Sequence, residues 1–121
     1  MAGITIHCKI WLEKDGQVFF GRGRLELLQG IMAYGSLAET ARHLGMSYRA
    51  AWGRLKTSES RLGKKLTEKV PAMGRGQRLV LTPFGQALVA DFLAIEARLQ
   101  QLLQQQQEIL DKKLTSADTP C

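Results

Sequence analysis

With 121 residues, 45% of them hydrophobic, and three prolines, the chain has the size and composition of one folded domain rather than a disordered polymer. Its net charge of +6 is concentrated. Residues 42–78 hold ten lysines and arginines against Glu59 and Glu68, so this segment carries +8 and the remainder −2, the footprint of a polyphosphate partner. No apolar run approaches the roughly 18 residues of a membrane span, and no signal-peptide pattern follows Met1, which predicts a soluble, cytoplasmic protein with no membrane partner.

Ile4, Ile6, Cys8, Ile10 and Leu12 alternate with Thr5, His7, Lys9, Trp11 and Glu13, which predicts a strand with one face buried. Lys14-Asp15-Gly16 reads as a turn, and Gln17–Phe20 returns as the second strand of an N-terminal hairpin. After Gly21–Gly23 the period lengthens. Leu27, Leu28, Ile31 and Tyr34 share a helical face, and Gly35 ends that helix. Ser36-Leu37-Ala38-Glu39 has the form of a capping box: the serine oxygen accepts from the N–H of Glu39, whose carboxylate reaches back to the N–H of Ser36. That helix stops at Gly45, and Ser47 caps a third helix running to about Leu62.

Leu66–Val70 and Arg78–Thr82 are predicted as short strands around a glycine-rich tip, and Thr82-Pro83 as the start of a last helix reaching about Leu114. The glutamine-rich stretch 100–107 falls within helical periodicity and reads as a solvated helix face.

Ser36–Leu55 reads as a helix-turn-helix. Ala41 is small where the two helices cross, and Leu44, Met46, Ala51 and Leu55 fill the space between them. The second helix of such a pair enters the DNA major groove. At about 100° per residue, Arg49, Gly53 and Lys56 lie opposite the apolar stripe. Arg49 can pair with guanine or a phosphate, Ser47 and Tyr48 can donate to phosphate oxygens, and Gly53 leaves room for the duplex. Trp52, on the flank of the stripe, is expected to pack, and Arg54 and Arg61 to be solvent charges. Arg75, Gln77 and Arg78 stand at the tip of the following hairpin, where Gly74 and Gly76 give the backbone freedom to follow a groove. The candidate DNA-binding set is therefore Ser47, Tyr48, Arg49, Gly53, Lys56, Arg75, Gln77 and Arg78.

In the last helix, Leu88, Phe92, Ile95, Leu99, Leu102 and Ile109 follow alternating steps of four and three, broken only where Gln106 falls, close to a coiled-coil seam. Its distal part predicts a homodimer. Two cysteines, Cys8 and Cys121, are too few for a disulfide framework, and Cys8 reads as structural. His7 and Cys8 would point to opposite faces of a strand. No metal spacing, catalytic triad, paired carboxylates or phosphate loop is visible, so neither an enzyme nor a cofactor is expected.

Taken together, GSLAETARHLGMSYRAAWGRL, LGKKLTEKV, a Gly/Arg loop and LVLTPFGQAL resemble the DNA-binding domain of ModE-type molybdate-responsive transcription regulators. Ser47–Trp52 is the most specific piece, and the likeness covers residues 4–95. A more distant likeness is to the LysR-type winged helix. The resemblance implies duplex DNA binding by a dimer. Full-length members also carry β-barrel molybdate-binding domains, for which residues 96–121 are too few.

The expected fold is mainly α with small β hairpins: a winged helix-turn-helix over residues 1–82, a dimerisation helix over 83–115, and a flexible tail over 116–121. The expected function is sequence-specific regulation of transcription. The alternative is an adaptor dimer that takes its sensing from a separate partner protein.

Overall fold

The computed structural model describes residues 3–74 and 76–117. Arg75 and Cys121 lie outside that range. The elements run β1 (Trp11–Lys14), β2 (Gln17–Gly21), α1 (Arg22–Tyr34), α2 (Leu37–His43), α3 (Tyr48–Leu62), β3 (Thr67–Pro71), β4 (Gln77–Leu81) and α4 (Pro83–Ala117). This is the mainly helical winged helix-turn-helix that the sequence predicts, with two antiparallel hairpins. Two compact units are distinguished: residues 10–92, and residues 3–9 together with the chain from Leu93 onward.

In the first unit, Asp15 and Gly16 both take positive φ, 52° and 77°. A two-residue Asp-Gly turn of this kind matches the twist of the strands it joins, and β1 pairs with β2 from Trp11↔Gly21 to Lys14↔Gln17. The hairpin is fastened to α3 by polar side chains. Ser58 Oγ donates to the Phe19 carbonyl at 2.5 Å, Lys14 Nζ donates to the Leu62 carbonyl at 3.1 Å, and Arg61 donates to the Val18 carbonyl. Arg61 is thus a structural clip and not the solvent charge expected of it.

The helix-turn-helix forms for local reasons. Ser36 Oγ accepts from Glu39 N at 2.9 Å, and Ser47 Oγ accepts from Ala50 N at 3.0 Å, so each cap relieves an orphan donor at a helix start. Only half of the predicted capping box is made: the Glu39 carboxylate turns to Arg42, at 2.7 and 2.5 Å, instead of reaching back to Ser36. Gly45, at φ 68°, makes the left-handed turn between the helices. Ala41, Ala51 and Leu55 are buried at the crossing, with Leu44 and Met46 packed on them.

The core is closed by Phe20, Leu25, Leu27, Leu28, Ile31, Leu37, Leu66 and Leu81, together with Val89 and Phe92 from the start of α4. Phe20 and Phe92 meet edge to face, 5.2 Å between centroids. Phe92 therefore fills the protein's own core, which removes it from the seam assigned to a partner helix, and Leu88 packs against the same cluster. Tyr34, which shares the helical spacing of the α1 core residues, is instead exposed and stacks on His43 at 4.0 Å.

Thr82 caps α4 as expected. Its hydroxyl oxygen accepts from Gly85 N at 3.0 Å while its O–H donates to the Lys65 carbonyl at 2.8 Å.

In the second unit, residues 4–9 of the alternation are not a strand. Ile4 N donates to Asp111 Oδ1 and Ile6 N to Gln107 Oε1, both at 2.9 Å, so helix side chains satisfy the backbone donors that a sheet would otherwise take up. Cys8 is free and exposed, not structural. Along this part of α4, Leu93, Ile95, Leu102, Ile109 and Leu114 are exposed and Leu99 is half-buried. Residues 116 and 117 still belong to α4, and the rest of the expected tail lies outside the described residues. Among the described residues no helix is long and apolar enough to cross a membrane, and no cluster of His, Cys, Asp or Glu could hold a metal ion.

Candidate nucleic-acid interface

Each part of the interface is placed by a short-range device. The Ser47 cap fixes the start of α3, so Tyr48, Arg49, Trp52, Gly53 and Lys56 fall on successive turns of its uncovered side. Tyr48 and Arg49 are exposed, and nothing stands within 4 Å of a Cβ built on Gly53. Ser47 spends one lone pair on its cap and keeps its O–H for an external acceptor.

The wing is a regular ladder from Thr67↔Leu81 to Pro71↔Gln77. Leu79 N donates to the Gly35 carbonyl at 2.8 Å, tying β4 to the turn before α2. Gly35 lies at φ 71°, in the left-handed region that glycine favours, and the Arg78 stem passes over the turn within ordinary contact distance.

Between α3 and the wing lies a cleft of about 470 Å³. Ser36 and Ala38 from the start of α2, Tyr48, Trp52 and Lys56 from α3, and Lys69, Gln77 and Arg78 from the wing are all in its lining. The structure thus brings four of the predicted residues, Tyr48, Lys56, Gln77 and Arg78, into one concave surface. Ser47, Arg49 and Gly53 do not line it, and Arg75 lies outside the described residues.

Trp52 reverses its expectation. It is 48% exposed rather than packed, and Lys56 Nζ stands 5.8 Å from its ring centroid, a loose cation–π contact. Lys56 also donates to Glu59 Oε1 at 3.2 Å. Glu59 is buried, and its second oxygen accepts from Leu66 N at 2.8 Å and Thr67 N at 3.3 Å, at the start of β3. One carboxylate therefore holds a cleft-facing lysine on one side and the root of the wing on the other.

Sequence reasoning missed Trp52, Lys69 and Ser36 as cleft residues, and Glu59 as their support. The signal available for Trp52 was its 100° offset from Gly53 on the same exposed arc. None was available for the bonds of Glu59 to Leu66 N and Thr67 N, which lie beyond the Gly63 turn.

The cleft carries cations with few internal counter-charges. Among the described residues Lys69 and Arg78 of the cleft, and Arg49 outside its lining, take part in no ion pair. Such a surface presents guanidinium, ammonium, amide and aromatic groups to an anionic, hydrogen-bonding polymer.

Comparison with known proteins agrees with this geometry. The family described as bacterial regulatory helix-turn-helix protein, lysR family, matches residues 23–86. The molybdenum-pterin-binding protein MopA of Rhodobacter capsulatus is 34% identical over 92 residues, 76% of this chain and 35% of that protein. The molybdenum transport protein ModE of Azotobacter vinelandii is 30% identical over 112 residues, 93% of this chain and 42% of that protein. The resemblance read from Ser36–Leu55 and the wing is thereby met from both sides, ModE-type and LysR-type.

The chain spans a little over a third of the length of these curated relatives. Among solved structures, the BenM DBD in its complex with benA site 1 DNA superposes with a TM-score of 0.54 at 19% identity, over 73% of this chain and 93% of that one. That likeness is one of fold.

Proposed function

The chain belongs to the bacterial regulatory helix-turn-helix proteins of the lysR family, and from that premise we propose that it binds duplex DNA sequence-specifically as a homodimer and regulates transcription in the cytoplasm. The observation that carries the reading is the cationic cleft in which Tyr48, Trp52 and Lys56 of α3 face Lys69, Gln77 and Arg78 of the wing. With α3 in the major groove, Arg49 and Gly53 approach base edges while the wing follows the adjacent backbone. The BenM DBD shares this fold and was crystallised with DNA, which supports the same use here.

The molybdenum-related names of the relatives support control of molybdate- or oxyanion-responsive genes. Dimerisation rests on the exposed side chains of Ile95, Leu102 and Ile109, with Leu99 half-buried beside them. An apolar row of this length on a helix is covered by a partner copy more readily than by water. Two recognition helices would then address half-sites about 34 Å apart or a multiple of that.

Fluorescence anisotropy on duplex DNA across salt concentrations tests the core of the reading. Neutralising roughly 6 to 8 phosphates gives a slope of log affinity against log salt of about −5 to −7. A flat response, or no binding at low salt, refutes it. Partner-protein capture unaffected by Arg49→Ala and Lys56→Ala, beside such a flat response, would instead identify the adaptor.

A further inference from the structure

A second cationic site stands on the other flank of α3. At about 100° per residue, Trp52 and Arg54 fall on opposite sides of Gly53, so the exposed arc of α3 has two edges. One edge, with Trp52 and Lys56, faces the wing. The other carries Arg54, whose Nη1 lies 4.0 Å from a Cβ built on Gly23, at the first turn of α1.

Arg24 extends from that same turn. Its Nε is buried and has no hydrogen-bond partner. Arg61 stands close by, held in place by its bond to the Val18 carbonyl. Among the described residues none of these three arginines takes part in an ion pair. Burial, then the charges of Arg61 and Arg54, push the Arg24 guanidinium below its ordinary pKa. The start of α1 adds to the same field: Gly21 gives no side-chain cap, and the first turn holds no acid.

A buried guanidinium nitrogen without an acceptor is costly, as is a gathering of like charges. A fold gains from both when an anion completes the site. Guanidinium groups match the oxygens of a phosphate in bidentate fashion, and open N–H groups at a helix start accept the same ligand.

We propose that Arg24, Arg54 and Arg61, with the first turn of α1, form a phosphate-binding site that engages the DNA backbone strand opposite the one followed by the wing. A helix in the major groove lies between two backbones, and this site gives the second backbone its own anchor. The source of the phosphate rests on the duplex-binding reading; the oxyanion chemistry of the site does not.

The test has two arms, both using the whole chain and the variants Arg54→Gln and Arg24→Gln/Arg54→Gln. Because Arg54 is exposed, the single variant keeps the fold, and its melting curve verifies that. In the first arm, anisotropy with a random-sequence duplex is followed against salt. The double variant is expected to flatten the slope by about 0.9, the loss of one phosphate contact, with the single variant moving in the same direction.

In the second arm, the melting temperature without DNA is compared in inorganic phosphate and in chloride at equal ionic strength. A rise for the native chain that the variants lack, with an unchanged slope in the first arm, assigns the site to free phosphate instead of the backbone. An unchanged slope together with equal phosphate effects on all proteins overturns the site. If the native chain binds no duplex at all, the DNA reading falls, and the second arm alone decides the site.

Discussion

Replacing Glu59 with alanine removes the acceptor of two backbone donors, Leu66 N at 2.8 Å and Thr67 N at 3.3 Å, and the counter-charge of Lys56. The carboxylate is buried, so water does not step in freely at either N–H. Each buried donor left unpaired costs about 1–3 kcal/mol. The longer bond to Thr67 belongs at the low end, which puts the whole loss at about 2–4 kcal/mol. For a compact unit of this size the melting temperature then falls by at least about 8 °C.

Glu59→Gln is the informative companion. Its amide oxygen can still accept from both N–H groups, while its neutral NH2 faces Lys56, so a loss of about 1 kcal/mol is expected. Thermal unfolding followed by far-ultraviolet circular dichroism, at one pH and salt, reads both variants. If both melt within about 2 °C of the native chain, Glu59 supports nothing and the link between α3 and the wing has been misjudged.

Trp52→Ala should lower duplex affinity about tenfold, or 1.4 kcal/mol, yet shift stability by less than about 1 kcal/mol because the ring lies outside the core; anisotropy and urea unfolding measure the two, and unaltered affinity removes the ring from the interface. Glu39 is held below the usual carboxylate range by its hydrogen bond from Arg42, aided by the charges of Arg42 and His43. Its contribution to folding is therefore complete above the ordinary carboxylate range and disappears as pH falls through the lowered value. A carboxyl NMR titration should show that low midpoint, and Arg42→Ala should return it to the usual range; a midpoint indifferent to Arg42 contradicts the assignment. Leu102→Glu and Ile109→Glu should each convert a dimer to a monomer in sedimentation velocity, and a retained dimer mass rules out this face as the seam.

What could be read from the sequence was local. The caps at Ser36, Ser47 and Thr82 are visible because a cap bonds to a residue three positions away, and the wing because a glycine-rich tip separates two short β-prone runs. Where a distant partner decides, the pattern misled. Alternation at Ile4–Ile10 is shared by a paired strand and by an extended segment whose donors go to Gln107 and Asp111 on a helix. The three-and-four spacing that includes Phe92 serves a core and a coiled-coil seam equally, and Phe20 claims the ring for the core. Trp52 has the hydrophobic character of its buried neighbours Ala51 and Leu55, but the wing meets α3 so as to leave a cleft at that flank. Glu59 reads as one stray acid in a basic block because the backbone donors it serves come from the other side of the Gly63 turn.

The placement of Glu59 also bears on how positive charge is shared out between the cleft and Arg49, which lies outside its lining. Lys56 is already neutralised in part, 3.2 Å from a carboxylate, and a phosphate approaching it must compete with that partner. Arg49, Lys69 and Arg78 face no such competitor among the described residues. On the duplex-binding reading proposed above, the greater share of salt-dependent affinity is expected from those three, and Lys56 is expected to act more as a fixed donor set against the Trp52 ring, its position held by the same carboxylate that roots β3. A cleft built in this way keeps α3 and the wing in register, because a shift of either strains a shared buried acceptor.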